Sequence, residues 1–161
     1  MLVNNSFIYC VKASDNSSTE LFKQSSEVAQ VFKTSSHEYY LSQKDIHLMA
    51  QIVHAESKGE PFEGKVAVAS VILNRLGYPE FPKSIEGVIM QKNAFSCVHN
   101  GKINVTPDSS SYRAVLEALK GKDPTQKAVF FYNPKTATSQ WMKNITKKSV
   151  IRIGNHVFFK A

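Results

Sequence analysis

The chain has 161 residues, 42% hydrophobic and 20% charged, enough for one globular domain with a core that holds the fold unaided. Twenty Lys and Arg against thirteen Asp and Glu leave a formal charge of +7, which attracts any polyanion without choosing among nucleic acid, anionic lipid and acidic wall polymer. The basic residues are scattered, which argues against a nucleic-acid-binding tail, and no apolar stretch approaches the ~18 residues that span a bilayer.

Residues 1–40 are rich in Ser and Asn, with Ser17-Ser18, Ser25-Ser26 and Ser35-Ser36 pairs. They read as a flexible or loosely docked arm, or a replaced natural N-terminus, with one weak amphipathic helix over Glu20 to Phe32. The start, Met1 to Ser14, has neither a basic leader nor a long apolar region, so no export signal is visible in this chain. Residues 41–161 read as the folded domain.

In that domain Ser42 and Asp45 form a capping arrangement. Ile46, Met49, Ala50 and Val53 then recur at helical spacing until Gly59 stops the helix, with Glu56 in its last turn. Pro61 opens a second helix over about Phe62 to Leu76, apolar nearly all round and therefore central. A short helix follows near Ser84–Gln91. Another runs from near Ser109 to Gly121, with Val115, Leu116 and Leu119 as its apolar face. Ala128 to Tyr132 reads as a strand, and Val150–Ile153 and His156–Phe159 flank Gly154-Asn155, a hairpin turn of the type with Gly first. The sum is an α+β fold, a helical body with a small antiparallel β-sheet, lysozyme-like in outline.

Glu56 is the residue with the most chemistry to offer. A carboxyl group at the inner end of an apolar helix is partly desolvated, and the helix C-terminus adds partial negative charge; both favour the protonated acid. Such a group can donate its proton to a leaving oxygen. On pattern alone the commoner reading is a solvated glutamate paired with Lys58 or Lys65.

The wider sequence changes that weighting. Ala55-Glu56-Ser57-Lys58-Gly59-Glu60-Pro61-Phe62-Glu63-Gly64-Lys65-Val66-Ala67-Val68-Ala69-Ser70-Val71-Ile72-Leu73-Asn74-Arg75 resembles the signature of the spore cortex-lytic enzyme catalytic domain family. The likeness continues through Phe81-Pro82, Gly87-Val88-Ile89, Ala94-Phe95-Ser96, Asp123-Pro124-Thr125, Tyr132-Asn133-Pro134, Ala137-Thr138-Ser139 and Ile153-Gly154-Asn155-His156-Val157-Phe158. The resemblance implies a goose-lysozyme-like fold and lytic transglycosylase action on the muramic-acid-containing glycan strands of spore cortex peptidoglycan, with Glu56 as the catalytic glutamate. It also implies work at the spore cortex or coat or the extracytoplasmic wall, and no cofactor or metal. Two departures stand out: position 57 is Ser where the family favours a basic or small residue, and the Ser-rich arm is not the wall-binding module that family members commonly carry upstream. An accessory protein could bind that arm.

The distribution of acids bears on mechanism. A two-carboxylate glycosidase needs its second carboxyl about 5–10 Å from the first, and in a lysozyme-like fold the small sheet is where to seek it. No Asp or Glu follows Asp123. Asp108, Glu117, Glu60 and Glu63 read better as helix-terminal or solvated residues. A one-carboxylate route is therefore expected, with Ser96, Tyr132, Asn133, Thr138 and Ser139 as polar candidates for substrate binding, and Phe95, Tyr132 and Trp141 as rings for sugar faces. The plainer alternatives are core packing for the aromatics, Phe95 above all, and turn capping for Thr138 and Ser139.

Rival chemistries are weaker. His47 and His54 stand seven apart and lack the spacing of a helical zinc pair. His156 beside the hairpin reads as an edge-strand histidine. Cys97 with His99 has no strand–turn–helix context for a nucleophile, and a Cys10–Cys97 bridge is the one pairing open to two thiols that are more simply isolated. A hydrolytic muramidase and a non-catalytic wall-binding protein remain the alternatives.

Overall fold

A computed structural model describes residues 30–33 and 38–161 of the chain. Its first long element, α1 (Gln43–Glu56), begins where the sequence supplies a complete capping box: Asp45 N–H donates to Ser42 Oγ at 3.1 Å, and Ser42 N–H donates to Asp45 Oδ2 at 2.9 Å. Two of the orphan amides of the first turn are thereby satisfied. The helix ends at Ser57, and Gly59 turns the chain at φ +80°. Pro61 then caps α2 (Phe62–Gly77), in which Val66 to Ile72 are all fully or nearly fully buried. An apolar circumference requires neighbours on every side, and α2 packs against α1, α3 (Ile85–Met90) and α4 (Ser109–Leu119).

Helix α4 buries Ser111, Ala114, Val115, Ala118 and Leu119, a stripe at three- and four-residue spacing, while Leu116 is 39% exposed. Leu116 was expected on the apolar face; one step of ~100° past Val115 turns it to solvent. The sheet has the order β3-β5-β4: β3 (Phe130–Tyr132), β4 (Lys148–Ile153) and the central β5 (His156–Lys160), all antiparallel. His156 is therefore on the inner strand, contrary to the edge position expected, and is buried. At the β4–β5 turn Gly154 takes φ +60°, the left-handed step that a Gly-first turn needs. The pairing of β4 is interrupted between Lys148 and Ile151, where Ser149 also takes positive φ.

Three elements go beyond the expected set. A five-residue helix, α5 (Gln140–Asn144), starts at Ser139, whose hydroxyl accepts from Met142 N–H. Ahead of α1, β1 (Gln30–Lys33) pairs antiparallel with β2 (Glu38–Leu41). The division expected at residue 40 falls inside β2, and Leu41, Phe32 and Tyr39 pack on the core. Gln30 to Phe32 are strand rather than the end of the expected helix; residues 20–29 of that expectation, and Cys10, lie outside the described residues. No described helix is long and apolar enough to cross a membrane.

Candidate active site

A cleft of about 790 Å³ opens between the end of α1, the loop after α3 and the sheet with α5. Glu56 reaches it because α1 ends there. The next residue, Ser57, turns inward, fully buried, with its hydroxyl donating to Val53 O and its N–H to the same carbonyl at 3.1 Å. That place suits a small hydroxylated residue; the long basic side chain also expected at position 57 would bring an unpaired charge into the core.

The Glu56 carboxylate is oriented from the opposite wall. Ser96 Oγ donates to its Oε1 at 2.9 Å, and the Cys97 N–H donates to the same oxygen at 3.3 Å. The two bonds fix the carboxyl through Oε1 on the wall of the cleft. The Cys97 thiol is pushed up to about 12 by burial, then by the negative charge of Glu56. A thiol so far from ionisation is no nucleophile at neutral pH, which removes the cysteine chemistry weighed from sequence; Cys97 is a free thiol.

Glu60, expected as a solvated or helix-terminal acid, is instead fixed on the cleft wall. Its Oε2 accepts the Asn155 N–H at 2.9 Å and its Oε1 the Asn155 side-chain amide at 3.0 Å. Burial works to raise its proton affinity, but the two bonds from Asn155 and the charges of His156 and Lys135 outweigh it and hold the carboxyl below its ordinary range. His156 shares the cleft wall; burial lowers its proton affinity, against the pull of Glu60 and Glu56. Its Nδ1 is buried without a hydrogen-bond partner.

The other expected site residues divide. Phe95, Ser96, Tyr132, Asn133, Ser139 and Trp141 line the cleft with Glu56. Thr138 is exposed and outside the lining; Thr136 occupies that stretch of wall instead. Phe95 is only 4% exposed and packs against Phe131, so its ring is floor rather than platform. Trp141 is 53% exposed, edge-on to Phe130, and is placed to cover a flat ligand face. Asn133 turns the chain by accepting Lys135 N–H on its side chain and Thr136 and Ala137 N–H on its carbonyl. His47 and His54 are engaged elsewhere, His47 with Tyr112 and His54 with Asp108, and neither lines the cleft.

Arg75 escaped the sequence reading. It is 6% exposed, donates from Nε to Val129 O at 2.8 Å, and lines the cleft. Val129 is set in place by a polar knot around Asp123, which accepts from Thr125, Asn74 and Lys127 and so supports the left-handed Gln126 and Lys127. An arginine closing an otherwise apolar helix run was the available signal, since arginine is rarely buried without a partner.

The sequence pattern described as Cell Wall Hydrolase matches residues 59–159. The chain belongs to the cell wall hydrolase family. Its match begins three residues after Glu56, so the family pattern covers the walls of the cleft and not that carboxyl. Among relatives of this chain, the spore cortex-lytic enzyme of Halalkalibacterium halodurans is 50% identical over 117 residues, 73% of this chain and 35% of that protein. The spore cortex-lytic enzyme of Bacillus cereus is 48% identical over 119 residues, 74% of this chain and 45% of its own length. The chain thus spans less than half the length of these curated relatives. Two solved structures agree in fold. The catalytic domain of Bacillus cereus SleB gives a TM-score of 0.66 at 47% identity, over 74% of this chain and 91% of that one. The catalytic domain of the germination-specific lytic transglycosylase SleB from Bacillus anthracis gives 0.68 at 46%, over 74% and 97%. The chain is accordingly α+β and lysozyme-like, as its elements predicted.

Proposed function

We propose that this chain is a peptidoglycan glycosidase, a lytic transglycosylase that cleaves the bond between muramic acid and N-acetylglucosamine in spore cortex, with Glu56 as its acid and base. The observation that carries the reading is the carboxyl itself: pinned through Oε1 by Ser96 and Cys97, on the wall of a cleft rimmed by Trp141 and Tyr132. The 46% identity to the catalytic domain of the germination-specific lytic transglycosylase SleB from Bacillus anthracis supports it.

In the first step Glu56, carrying a proton, donates it to the glycosidic oxygen as the C1–O bond breaks; positioned proton transfer of this kind contributes ~10²–10⁴ in rate. The N-acetylglucosamine end departs as an alcohol and positive charge develops at C1. In the second step the Glu56 carboxylate takes the proton of the muramic acid C6 hydroxyl. The C6 oxygen bonds to C1, the 1,6-anhydro ring closes, and Glu56 is protonated again. No water is consumed.

A second reading, a hydrolytic muramidase, is favoured by one observation, the presence of Glu60 on the same wall. Against it, both oxygens of Glu60 are taken by Asn155 and its proton affinity is lowered. A weakened base is poorly suited to activating water. Action on cortex places the protein outside the cytoplasmic membrane, at the spore cortex or wall.

The test is to digest purified cortex peptidoglycan with the protein and examine the released fragments by mass spectrometry. Fragments ending in 1,6-anhydro-muramic acid are expected. Reducing ends would replace the mechanism with hydrolysis, and wall binding with no fragments would sink the enzymatic reading.

A further inference from the structure

The Arg75 guanidinium is a buried cation with no carboxylate against it. Its carbon lies 5.3, 5.0 and 5.9 Å from the ring centroids of Phe81, Phe95 and Phe130, and Nε is committed to Val129 O at 2.8 Å. Among the described residues no ion pair reaches it, and no acceptor meets its terminal nitrogens. Burial pushes it down to about 10, opposed by the charge of Glu56 across the cleft. A cage of three rings holds the fork in one orientation, and the cation is attracted to the ring faces. Rings offer no lone pairs to the in-plane N–H groups, and the terminal nitrogens, which are not among the sealed unpartnered polar atoms of the described residues, are open to the cleft. The side chain is thus nine-tenths buried, unpartnered at its terminal nitrogens, and set in the wall of the cleft that holds Glu56.

We propose that Arg75 is a specificity-determining residue, whose terminal N–H groups receive the carboxyl-derived oxygen of the lactyl arm of muramic acid. The inference rests on the glycosidase reading above. Of the acceptors on a glycan strand, hydroxyls and N-acetyl carbonyls occur on both sugars. The lactyl arm alone marks muramic acid, and its carbonyl or carboxylate oxygen is the strongest acceptor available to a guanidinium fork. Pairing also offsets the cation beside a centre where positive charge develops, which an unmatched guanidinium would oppose.

The decisive experiment measures binding by calorimetry to the full chain carrying Glu56→Gln, so that ligands stay intact. The ligands are a muramic-acid-containing tetrasaccharide, the N-acetylglucosamine tetrasaccharide, and the first ligand with its lactyl carboxyl reduced to an alcohol. The muramic ligand is expected to bind about tenfold or more tighter than the other two, as charge-assisted bonds imply. Adding Arg75→Lys should erase that preference and leave the N-acetylglucosamine ligand nearly unchanged, because lysine keeps the charge and loses the fork. Thermal unfolding reports whether Arg75→Lys is folded, and the reduced ligand tests the same bond on the unaltered Arg75.

Unchanged preference with Arg75→Lys, or with the reduced ligand, would overturn the assignment. Equal loss on all ligands would overturn it too, since Arg75 would then meet the shared N-acetyl group or only hold the cleft. No glycan binding by the Glu56→Gln chain together with no fragment release by the parent chain would instead remove the glycosidase reading, and this inference with it. Fragment release by the parent chain, with no discrimination between ligands by the Glu56→Gln chain, would remove this inference alone.

Discussion

Glu60 and Asn155 lie 95 positions apart and meet through two hydrogen bonds, at 2.9 and 3.0 Å, that clamp the α1–α2 loop to the β4–β5 turn. The clamp sits beside Gly154, where an added Cβ would come within 2.0 Å of Glu60 Oε2 and 3.0 Å of Pro61 Cδ. Gly154 also needs φ +60°. Gly154→Ala therefore meets both backbone strain and a displaced carboxylate. It should lower the free energy of unfolding by about 1–3 kcal/mol. Denaturant unfolding followed by circular dichroism checks this; an unchanged midpoint and slope would show that the clamp gives way freely.

Ser96→Ala removes one of the two donors that aim Glu56 while leaving an exposed position on the surface. Stability should be unaffected, and kcat should fall about tenfold with little change in KM, as expected for a bond that orients the reacting group. Steady-state release of soluble glycan fragments distinguishes this from a loss of binding, which would raise KM instead.

Trp141→Ala should do the reverse. The ring is 53% exposed and, among the described residues, its one aromatic neighbour is Phe130. Loss of a stacking face worth about 1 kcal/mol should raise KM several-fold with kcat nearly kept. Unchanged KM would place the glycan on a different wall.

Acid stability should be governed in part by Asp123. Burial works to raise its proton affinity, but bonds from Thr125, Asn74 and Lys127 outweigh it and hold the carboxyl below its ordinary range. A carboxyl with a folded value below its unfolded one, about 3.9, contributes stability that is present above that pH and lost as pH falls through the folded value. Asp123→Asn should therefore cost about 1–3 kcal/mol at neutral pH and flatten the acid side of the stability profile. Equal acid sensitivity in the two proteins would assign that sensitivity to other groups.

Much of this was legible in the residues, and the rest was not, for physical reasons. The Ser42–Asp45 box, the Gly59 stop, Pro61 and the Gly154-Asn155 turn are local devices, and each stands in the structure where its chemistry predicted. Helix α5 has only five residues and no buried one, so it has no apolar period to read. Strand β1 is sheet only through its partner β2, and a Ser-rich approach concealed it. His156 was misplaced at an edge because a hairpin does not reveal that its second strand also pairs with β3. Glu60 and Arg75 take their roles from Asn155 and Val129, 95 and 54 residues away, and no spacing rule reaches that far.

The central claim is that one carboxyl does both proton transfers, and the most direct measurement compares the parent chain with Glu56→Gln on cortex peptidoglycan by mass spectrometry of the soluble fragments. Glutamine keeps the shape and can still accept from Ser96 and Cys97, but it cannot give up a proton as an acid does. The account predicts fragments with 1,6-anhydro-muramic ends from the parent, none from Glu56→Gln, and equal binding of both proteins to the insoluble wall. Continued release of anhydro fragments by Glu56→Gln would contradict it.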